Sequence, residues 1–114
     1  MKKIEAVIPH DKLKEASSVL LKFPIGGFTY YESKGRGQIP TPLIHTGRGT
    51  SVYRPEFNVN IMVSIVVPDN LVTDIVNKIL DSTSSGLAGE GKVFVSDIDE
   101  AVDIGTGNRG ESAL

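Results

Sequence analysis

The chain lacks several residue types and patterns on which whole classes of protein depend. It has no cysteine, which excludes a disulfide framework, a zinc-thiolate site and thiol catalysis. Its two scattered histidines do not supply the ligand cluster of a metal centre built from protein side chains alone. No apolar run approaches the roughly 20 residues of a membrane-spanning helix, and the charged start, Met1 to Glu5, does not resemble a signal peptide. We therefore expect a cytoplasmic protein.

The bulk composition describes a small globular chain. Its 114 residues fit one domain, 1–114, and its hydrophobic fraction of 39% is that of a water-soluble fold. A formal net charge of -2 gives no general attraction to nucleic acid or to a membrane surface, so neither nucleic-acid binding nor membrane insertion is predicted. A chain of this length gains from oligomerisation, because association buries apolar area that one small domain leaves exposed.

The first third of the chain has the pattern strand, helix, strand. Apolar residues alternate along Lys2–Ile8, which predicts a half-buried strand. Asp11 is a suitable N-cap for a helix that ends before Pro24 and the glycines that follow it. The β-favouring run Phe28–Ser33 predicts a second strand.

The last half repeats that pattern. Alternation along Val59–Val67 gives the clearest strand of the chain. Asp69 can cap a helix that carries a double apolar stripe from Leu71 to Leu80, and Lys92–Ser96 reads as a strand. A short helical turn is predicted at 97–101 and an extended piece at 102–104.

The order β-α-β-loop-β-α-β predicts an α+β, ferredoxin-like βαββαβ sandwich with an antiparallel sheet and two helices on one face. The other face has no third layer in so short a chain, and we expect a second copy to cover it.

A glycine-rich loop precedes the last strand. Glycines at 86, 89 and 91 permit positive φ and can turn backbone N–H groups toward an anion, and Lys92 adds a positive charge. Gly86 to Lys92 matches the first seven positions of a Walker A loop, but Val93 replaces the Ser or Thr that binds magnesium. The loop also leads from helix to strand, the reverse of a P-loop. We interpret it as a phosphate cradle outside the P-loop NTPases.

Residues 34–57 lack any sustained periodicity and contain glycine and proline throughout. The segment carries four basic residues, and the sequence has no carboxylate between Glu32 and Glu56. A loop so long inside a small domain is usually functional. We expect it to meet an anionic ligand or to dock into a partner, although a solvated, mobile loop has the same composition.

Over nearly its whole length the chain resembles the PII signal-transduction family. Three segments carry the resemblance: the opening strand Met1–Ile8, the segment Gly27–Gln38, and Ser85–Val95, which matches the family's C-terminal signature at nearly every position. The ending from Thr106 to Leu114 is also similar. In the terms of that family, the T-loop covers about 35–57, the B-loop about 82–92 and the C-terminal loop about 105–114.

The resemblance implies a homotrimer that binds ATP or ADP, and possibly AMP, between subunits. Bound Mg²⁺ and 2-oxoglutarate then reshape a T-loop that docks on an ammonium transporter or a nitrogen-metabolism enzyme. It implies nucleotide contacts at Thr29, Gly35, Arg36, Gly37, Gln38, Gly89, Glu90, Gly91 and Lys92. Gln38 is the candidate for the glutamine that contacts magnesium, although it stands one place early. Arg48, Tyr53 and Arg54 are the candidate partner-binding residues of the loop.

The chain departs from the family pattern where relatives carry two phosphate-binding arginines. Asp103 and Gly105 stand there instead, and Arg36, Arg48 or Arg109 are the candidates to replace them. The family's lysine for 2-oxoglutarate falls on Asn58. These losses favour ADP or AMP over ATP, and they leave both the preferred nucleotide and 2-oxoglutarate binding open. The context of Tyr53 does not match a uridylylation site.

Three alternatives to a nitrogen sensor stay open. One is a PII-like adenylate or bicarbonate sensor that ignores 2-oxoglutarate, and another is a structural trimer that binds nothing. The third is a small hydrolase or phosphatase, but no Ser/His/Asp or Cys/His arrangement is visible, and we predict no enzyme activity.

Overall fold

The computed structural model describes residues 1–45, 47 and 51–114. Its elements, in chain order, are β1 (Lys2–Pro9), α1 (Leu13–Leu20), β2 (Thr29–Gly35), β3 (Ile44–His45), β4 (Val52–Tyr53), β5 (Asn58–Val67), α2 (Val72–Thr83) and β6 (Lys92–Asp97). Short 3-10 turns, His10–Lys12 and Asp69–Leu71, lead into the two α-helices, and a 3-10 helix covers Gly110–Ala113.

Four strands form one antiparallel sheet in the order β2-β5-β1-β6. β1 lies at the centre, where Ile4 pairs with Ile65 of β5 on one side and with Val95 of β6 on the other. Each helix crosses over between two strands that do not pair directly. This is the predicted ferredoxin-like sandwich, and the prediction is confirmed.

The hydrophobic core lies between one face of the sheet and the two helices. Alternate residues of β1 and β5 point into it because side chains alternate across a strand. Each helix contributes a stripe of apolar residues spaced three or four positions apart. The fully buried members are Ile4, Ala6, Ile8, Ala16, Leu20, Ile61, Val63, Ile65, Val67, Ile75 and Ile79.

The residues between these core positions form the opposite face, which we call the open face. It includes the cross-strand row Tyr31, Met62, Val7 and Lys92, and a second row that ends at Phe94. Tyr31 and Phe94 are more than half exposed in the single chain. This face therefore exposes large apolar side chains that a second copy could cover.

Both predicted helix caps are wrong. Asp11 and Asp69 lie inside the 3-10 turns, and neither α-helix has a side-chain cap hydrogen bond. The Asp69 carboxylate instead pairs with the Met1 ammonium group at 2.9 Å, and the hydrogen bond and charge of that group lower the pKa of Asp69. A full positive charge is a stronger partner than a backbone amide.

Two further predictions about local structure are also wrong. Asp97 ends β6, and residues 98–101 form no helical turn. The segment 34–57, predicted as one long loop without periodic structure, contains a short ladder in which β3 and β4 pair as Ile44 with Tyr53 and His45 with Val52. Within the described residues, no helix combines the length and apolar character needed to cross a membrane.

Candidate functional site

The B-loop joins α2 to β6 and adopts the backbone geometry that its glycines predict. Gly86, Gly89 and Gly91 have φ values of 90°, 85° and 153°. Residues that carry a side chain rarely adopt these φ values, so glycine permits the loop to curl without steric strain. A cleft of about 430 Å³ opens between this loop, the end of β1 and the last turns of α2. The prediction of positive φ at all three glycines is confirmed.

Glu90 folds back onto the beginning of the B-loop. Its carboxylate accepts hydrogen bonds from the Ser85 backbone N–H at 2.9 Å, from the Ser85 hydroxyl and from the Ser84 hydroxyl at 3.3 Å. These bonds, chiefly those from Ser85, lower the pKa of Glu90. The carboxylate thus fixes the loop's first turn. A negative charge is a poor direct ligand for phosphate, so its position favours an indirect role.

Lys92 is the first residue of β6 and pairs with Val7. This register places it on the open face, where it is exposed. Its ammonium group is therefore available to an anion beside the B-loop.

The T-loop begins at the same end of the sheet, because β2 ends at Gly35 beside Asn58 of β5. Its first residues, Arg36, Gly37 and Gln38, line a second cavity of about 290 Å³. Arg36 forms an ion pair with Glu56 across that cavity, with Nη1 and Oε1 separated by 3.5 Å. The structure thus brings Gly35 to Gln38 to the same end of the sheet as the glycines of the B-loop.

Ile39 links the two loops directly. A Cβ atom on Gly89 would lie 2.3 Å from the Ile39 Cδ1 atom and 3.1 Å from Cγ1. The Ile39 side chain therefore fills the space that the absent Cβ leaves. Nothing in the sequence pattern indicated this contact, because residues 39 and 89 belong to different elements.

The two legs of the T-loop are held together by a pair of hydrogen bonds, which we call the clasp. The Thr41 hydroxyl donates to the Pro55 carbonyl, and the Arg54 guanidinium donates to the Thr41 carbonyl. Thr41 is 5% exposed, although it lies in a loop rich in glycine and proline. A buried hydroxyl is stable only when it is hydrogen-bonded, which explains why the loop closes at this point.

The predicted partner-binding residues have different surroundings. Tyr53 is exposed on the β3–β4 ladder, so a partner protein could reach its side chain. Arg54 uses its guanidinium within the clasp. Arg48 lies outside the described residues.

Thr29 lies on the opposite edge of the sheet from the B-loop. It pairs with Ser64 on the open face, whereas Lys92 lies on β6. Three strand-to-strand steps separate β2 from β6, which amounts to about 14 Å. Within one chain, Thr29 and the B-loop cannot contact the same phosphate or base.

The end of the chain approaches the Thr29 edge. A Cβ atom on Gly26, three residues before Thr29, would lie 2.8 Å from the carbonyl carbon of Leu114. The C-terminal residues therefore lie close to the segment that leads into Thr29.

Asp103 is part of a closed loop, not a free charge. Its Oδ1 accepts a hydrogen bond from the Thr106 backbone N–H at 2.9 Å. Bonds from Thr106, and then from Gly105, lower the pKa of Asp103. Val102 forms a bridge with Arg109, whose guanidinium pairs with Glu100. Asp103 thus has a structural role in shaping its own loop.

The described residues contain no cluster of three or more His, Cys, Asp or Glu that could hold a metal ion. A magnesium ion at this site would depend on oxygen atoms of a bound ligand, which is how Mg²⁺ commonly enters phosphate sites. Gln38 could add its amide oxygen, since it lines the 290 Å³ cavity. The residues fit such an ion only in company with a phosphate.

The chain is a ferredoxin-like sandwich with two loops and two cavities at one end of its sheet. Residues 1–108 match the family described as nitrogen regulatory protein P-II. The chain is 38% identical over 114 residues to the nitrogen regulatory protein P-II of Microchaete diplosiphon, with all of both chains covered. It is 37% identical to that of Bradyrhizobium diazoefficiens over 114 residues, and 35% identical to nitrogen regulatory protein P-II 1 of Escherichia coli over 116 residues, again with full coverage.

The chain therefore belongs to the nitrogen regulatory protein P-II family. Proteins of this family are signalling proteins and not enzymes. The resemblance stated from the sequence is confirmed, as is the prediction that the chain is no enzyme.

Proposed function

We propose that this protein is a PII-type signal-transduction protein that binds an adenine nucleotide between subunits of a homotrimer. The observation that best supports the proposal is the position of the B-loop. Its positive-φ glycines lie beside the base of the T-loop, with Ile39 against Gly89. A phosphate held by Gly89, Gly91 and Lys92 would therefore adjoin the loop that meets a partner.

The division of the site over two edges of the sheet supports the homotrimer. The B-loop and the residues 35–38 form one half of the site, and Thr29 with the C-terminal residues forms the other. The halves can meet only if the β6 edge of one copy faces the β2 edge of the next. Such a head-to-tail arrangement can close into a ring, and in the proposed homotrimer the ring would cover the open faces.

The output of the proposed sensor is nitrogen regulation through the T-loop. Mg²⁺ with 2-oxoglutarate would bind next to the nucleotide, near Gln38, and the loop would then engage an ammonium transporter or a nitrogen-metabolism enzyme. Tyr53 is exposed for such a contact. Because these ligands are metabolites of the cytoplasm, we place the protein there, without membrane insertion or nucleic-acid binding.

A second candidate is a PII-like adenylate or bicarbonate sensor that does not respond to 2-oxoglutarate. Asp103 and Asn58 favour it, since neither supplies the positive charge that the family pattern has at these positions. An ADP or AMP preference follows, because fewer cations are available to neutralise a triphosphate.

Calorimetric titration with ATP, ADP and AMP, each with and without Mg²⁺ and 2-oxoglutarate, tests both candidates. ATP binding that tightens with 2-oxoglutarate supports the nitrogen sensor. ADP or AMP binding that is indifferent to 2-oxoglutarate supports the second candidate. No heat with any nucleotide contradicts the nitrogen sensor and the adenylate sensor, and a titration with bicarbonate then distinguishes a bicarbonate sensor from a structural trimer.

A further inference from the structure

We propose that Ile39 is an apolar coupling residue that covers the phosphate loop and must leave it when nucleotide binds. The inference rests on the proposed nucleotide-binding function and concerns how occupancy reaches the T-loop. It assigns the coupling to the contact between the Ile39 side chain and Gly89.

The contact is close and specific to one side-chain branch. The position of a Cβ on Gly89 lies 2.3, 3.1 and 3.5 Å from the Cδ1, Cγ1 and Cβ atoms of Ile39. A Cβ on Gly86 would have no atom within 4 Å, and the nearest neighbours of one on Gly91 belong to Val7 and Ile8 of β1 and not to the T-loop. Ile39 is nevertheless 52% exposed, so it rests on the loop surface and can move away without unpacking the core.

An anion held by the B-loop would compete with this side chain for the space beside Gly89. A phosphate that accepts hydrogen bonds from the backbone N–H groups must bring its oxygen atoms close to the glycine backbone. Glycine permits this close approach because it has no side chain. An isoleucine side chain offers no hydrogen bond and would keep water from the phosphate oxygens. Burial of a charge without partners is costly, so the side chain yields to the anion.

Movement of Ile39 reaches the rest of the T-loop through the clasp. Thr41, two residues further, is buried and hydrogen-bonded to Pro55, and Arg54 donates to its carbonyl. Both legs of the loop are thus connected to the segment that carries Ile39. A shift at residue 39 therefore biases the ladder in which Ile44 pairs with Tyr53.

This coupling differs in kind from one that depends on a metal ion. Ile39 has no polar atom, so its displacement depends on phosphate occupancy and not on Mg²⁺ or 2-oxoglutarate. The response of the T-loop to nucleotide should therefore persist in EDTA wherever nucleotide still binds.

The test uses the full-length protein with Tyr53→Trp as a reporter. The chain has no tryptophan, so the emission reports the T-loop alone. Ile39→Ala removes the cover, and Ile39→Val removes only Cδ1, the atom nearest to Gly89. Leu43→Ala is the matched control, because Leu43 lies in the same loop and is 53% exposed, like Ile39. Nucleotide affinity is measured by calorimetry and loop response by the change in emission, both in EDTA.

We expect Ile39→Ala to bind nucleotide about threefold to tenfold more tightly, because the half-buried isoleucine side chain no longer has to be displaced. This factor corresponds to roughly half of the free energy gained by burying an isoleucine side chain fully. Its nucleotide-dependent change in emission should be lost. Ile39→Val should fall between Ile39→Ala and the parent, and Leu43→Ala should match the parent in both respects.

Unchanged or weaker binding by Ile39→Ala, or a preserved change in emission, overturns the inference while nucleotide binding by the parent still supports the proposed function. A parent protein that binds no nucleotide overturns the proposed function and the inference together. A gain of affinity that Leu43→Ala shares would indicate a general effect on the loop and also contradicts the coupling.

Discussion

Gly91 lies against the backbone of Val7, where a Cβ atom would be 2.0 Å from the Val7 carbonyl oxygen. Val7 is also the ladder partner of Lys92, the next residue of the chain. The end of the phosphate loop and the beginning of β6 are therefore fixed to the central strand by a contact between two backbones, neither of which can rotate away.

The first prediction compares Gly91→Ala with Gly86→Ala. Both glycines have positive φ, but a Cβ on Gly86 meets nothing within 4 Å. Gly86→Ala should cost about 1 kcal/mol of stability from backbone strain alone. Gly91→Ala should cost about 3 kcal/mol or more, because the β1–β6 ladder must also shift. Urea unfolding measures both, and equal losses would contradict the backbone contact.

A second prediction concerns pH and Asp103. Its pKa is lowered from 3.8 in the folded protein, so the folded state binds the proton less tightly than the unfolded chain does. The stabilisation is present above pH 3.8 and disappears as the pH falls through the lower folded value. Asp103→Ala should therefore lower the melting temperature at neutral pH but not in strong acid.

Asp99→Ala is the control for that experiment, since Asp99 is an exposed carboxylate four residues earlier in the chain. It should change the melting temperature little at either pH. A loss in Asp103→Ala that persists unchanged in strong acid would show that the hydrogen bonds to the carboxylate are not its cause.

The third prediction tests the indirect role of Glu90. If the carboxylate acts by fixing the first turn of the B-loop, Glu90→Gln should weaken nucleotide binding on the order of tenfold, since the amide cannot accept the same set of bonds. If Glu90 acted only as a negative charge near the phosphates, the same change would strengthen binding. Calorimetry distinguishes the two signs, and Glu15→Gln on α1 serves as the charge-matched control.

A fourth prediction concerns the clasp. Thr41→Val keeps the shape of the side chain but removes the hydroxyl that donates to Pro55. The loss of one hydrogen bond at a buried site should cost about 0.5–1.5 kcal/mol locally. Hydrogen exchange at Ile44 and Tyr53 should accelerate accordingly. Thr73→Val, at an exposed helix position, should leave that exchange unchanged, and protection retained in Thr41→Val would contradict the role of the clasp.

Elements with strong periodicity could be predicted from the sequence. The alternation along β5 and the stripe of α2 each depend on residues close in the chain, and the predicted segments match Asn58–Val67 and Val72–Thr83 closely. The positive φ values of the B-loop glycines could be predicted for the same reason, because glycine is the local determinant of that conformation.

Features that depend on distant partners could not be predicted. Asp69 resembles a helix cap in sequence, yet its carboxylate pairs with the ammonium group of Met1, 68 positions away. Thr41 and Ile39 are inconspicuous in a glycine- and proline-rich loop, and only the fold brings them against Pro55 and Gly89. The division of the proposed site over two sheet edges likewise depends on the order of the strands in the folded sheet.

Nucleotide binding by Phe94→Asp tests most directly whether the nucleotide site is shared between subunits. Phe94 lies on the open face and is 55% exposed in the single chain, so a charge there should prevent assembly. Leu21→Asp is the control, because Leu21 is 70% exposed at the end of α1, away from that face. Light scattering gives the mass and calorimetry the affinity of each protein.

We expect the parent and Leu21→Asp to be trimers that bind one nucleotide per chain. Phe94→Asp should be a folded monomer that binds none. A monomeric Phe94→Asp that binds nucleotide with the affinity of the parent would contradict the shared site.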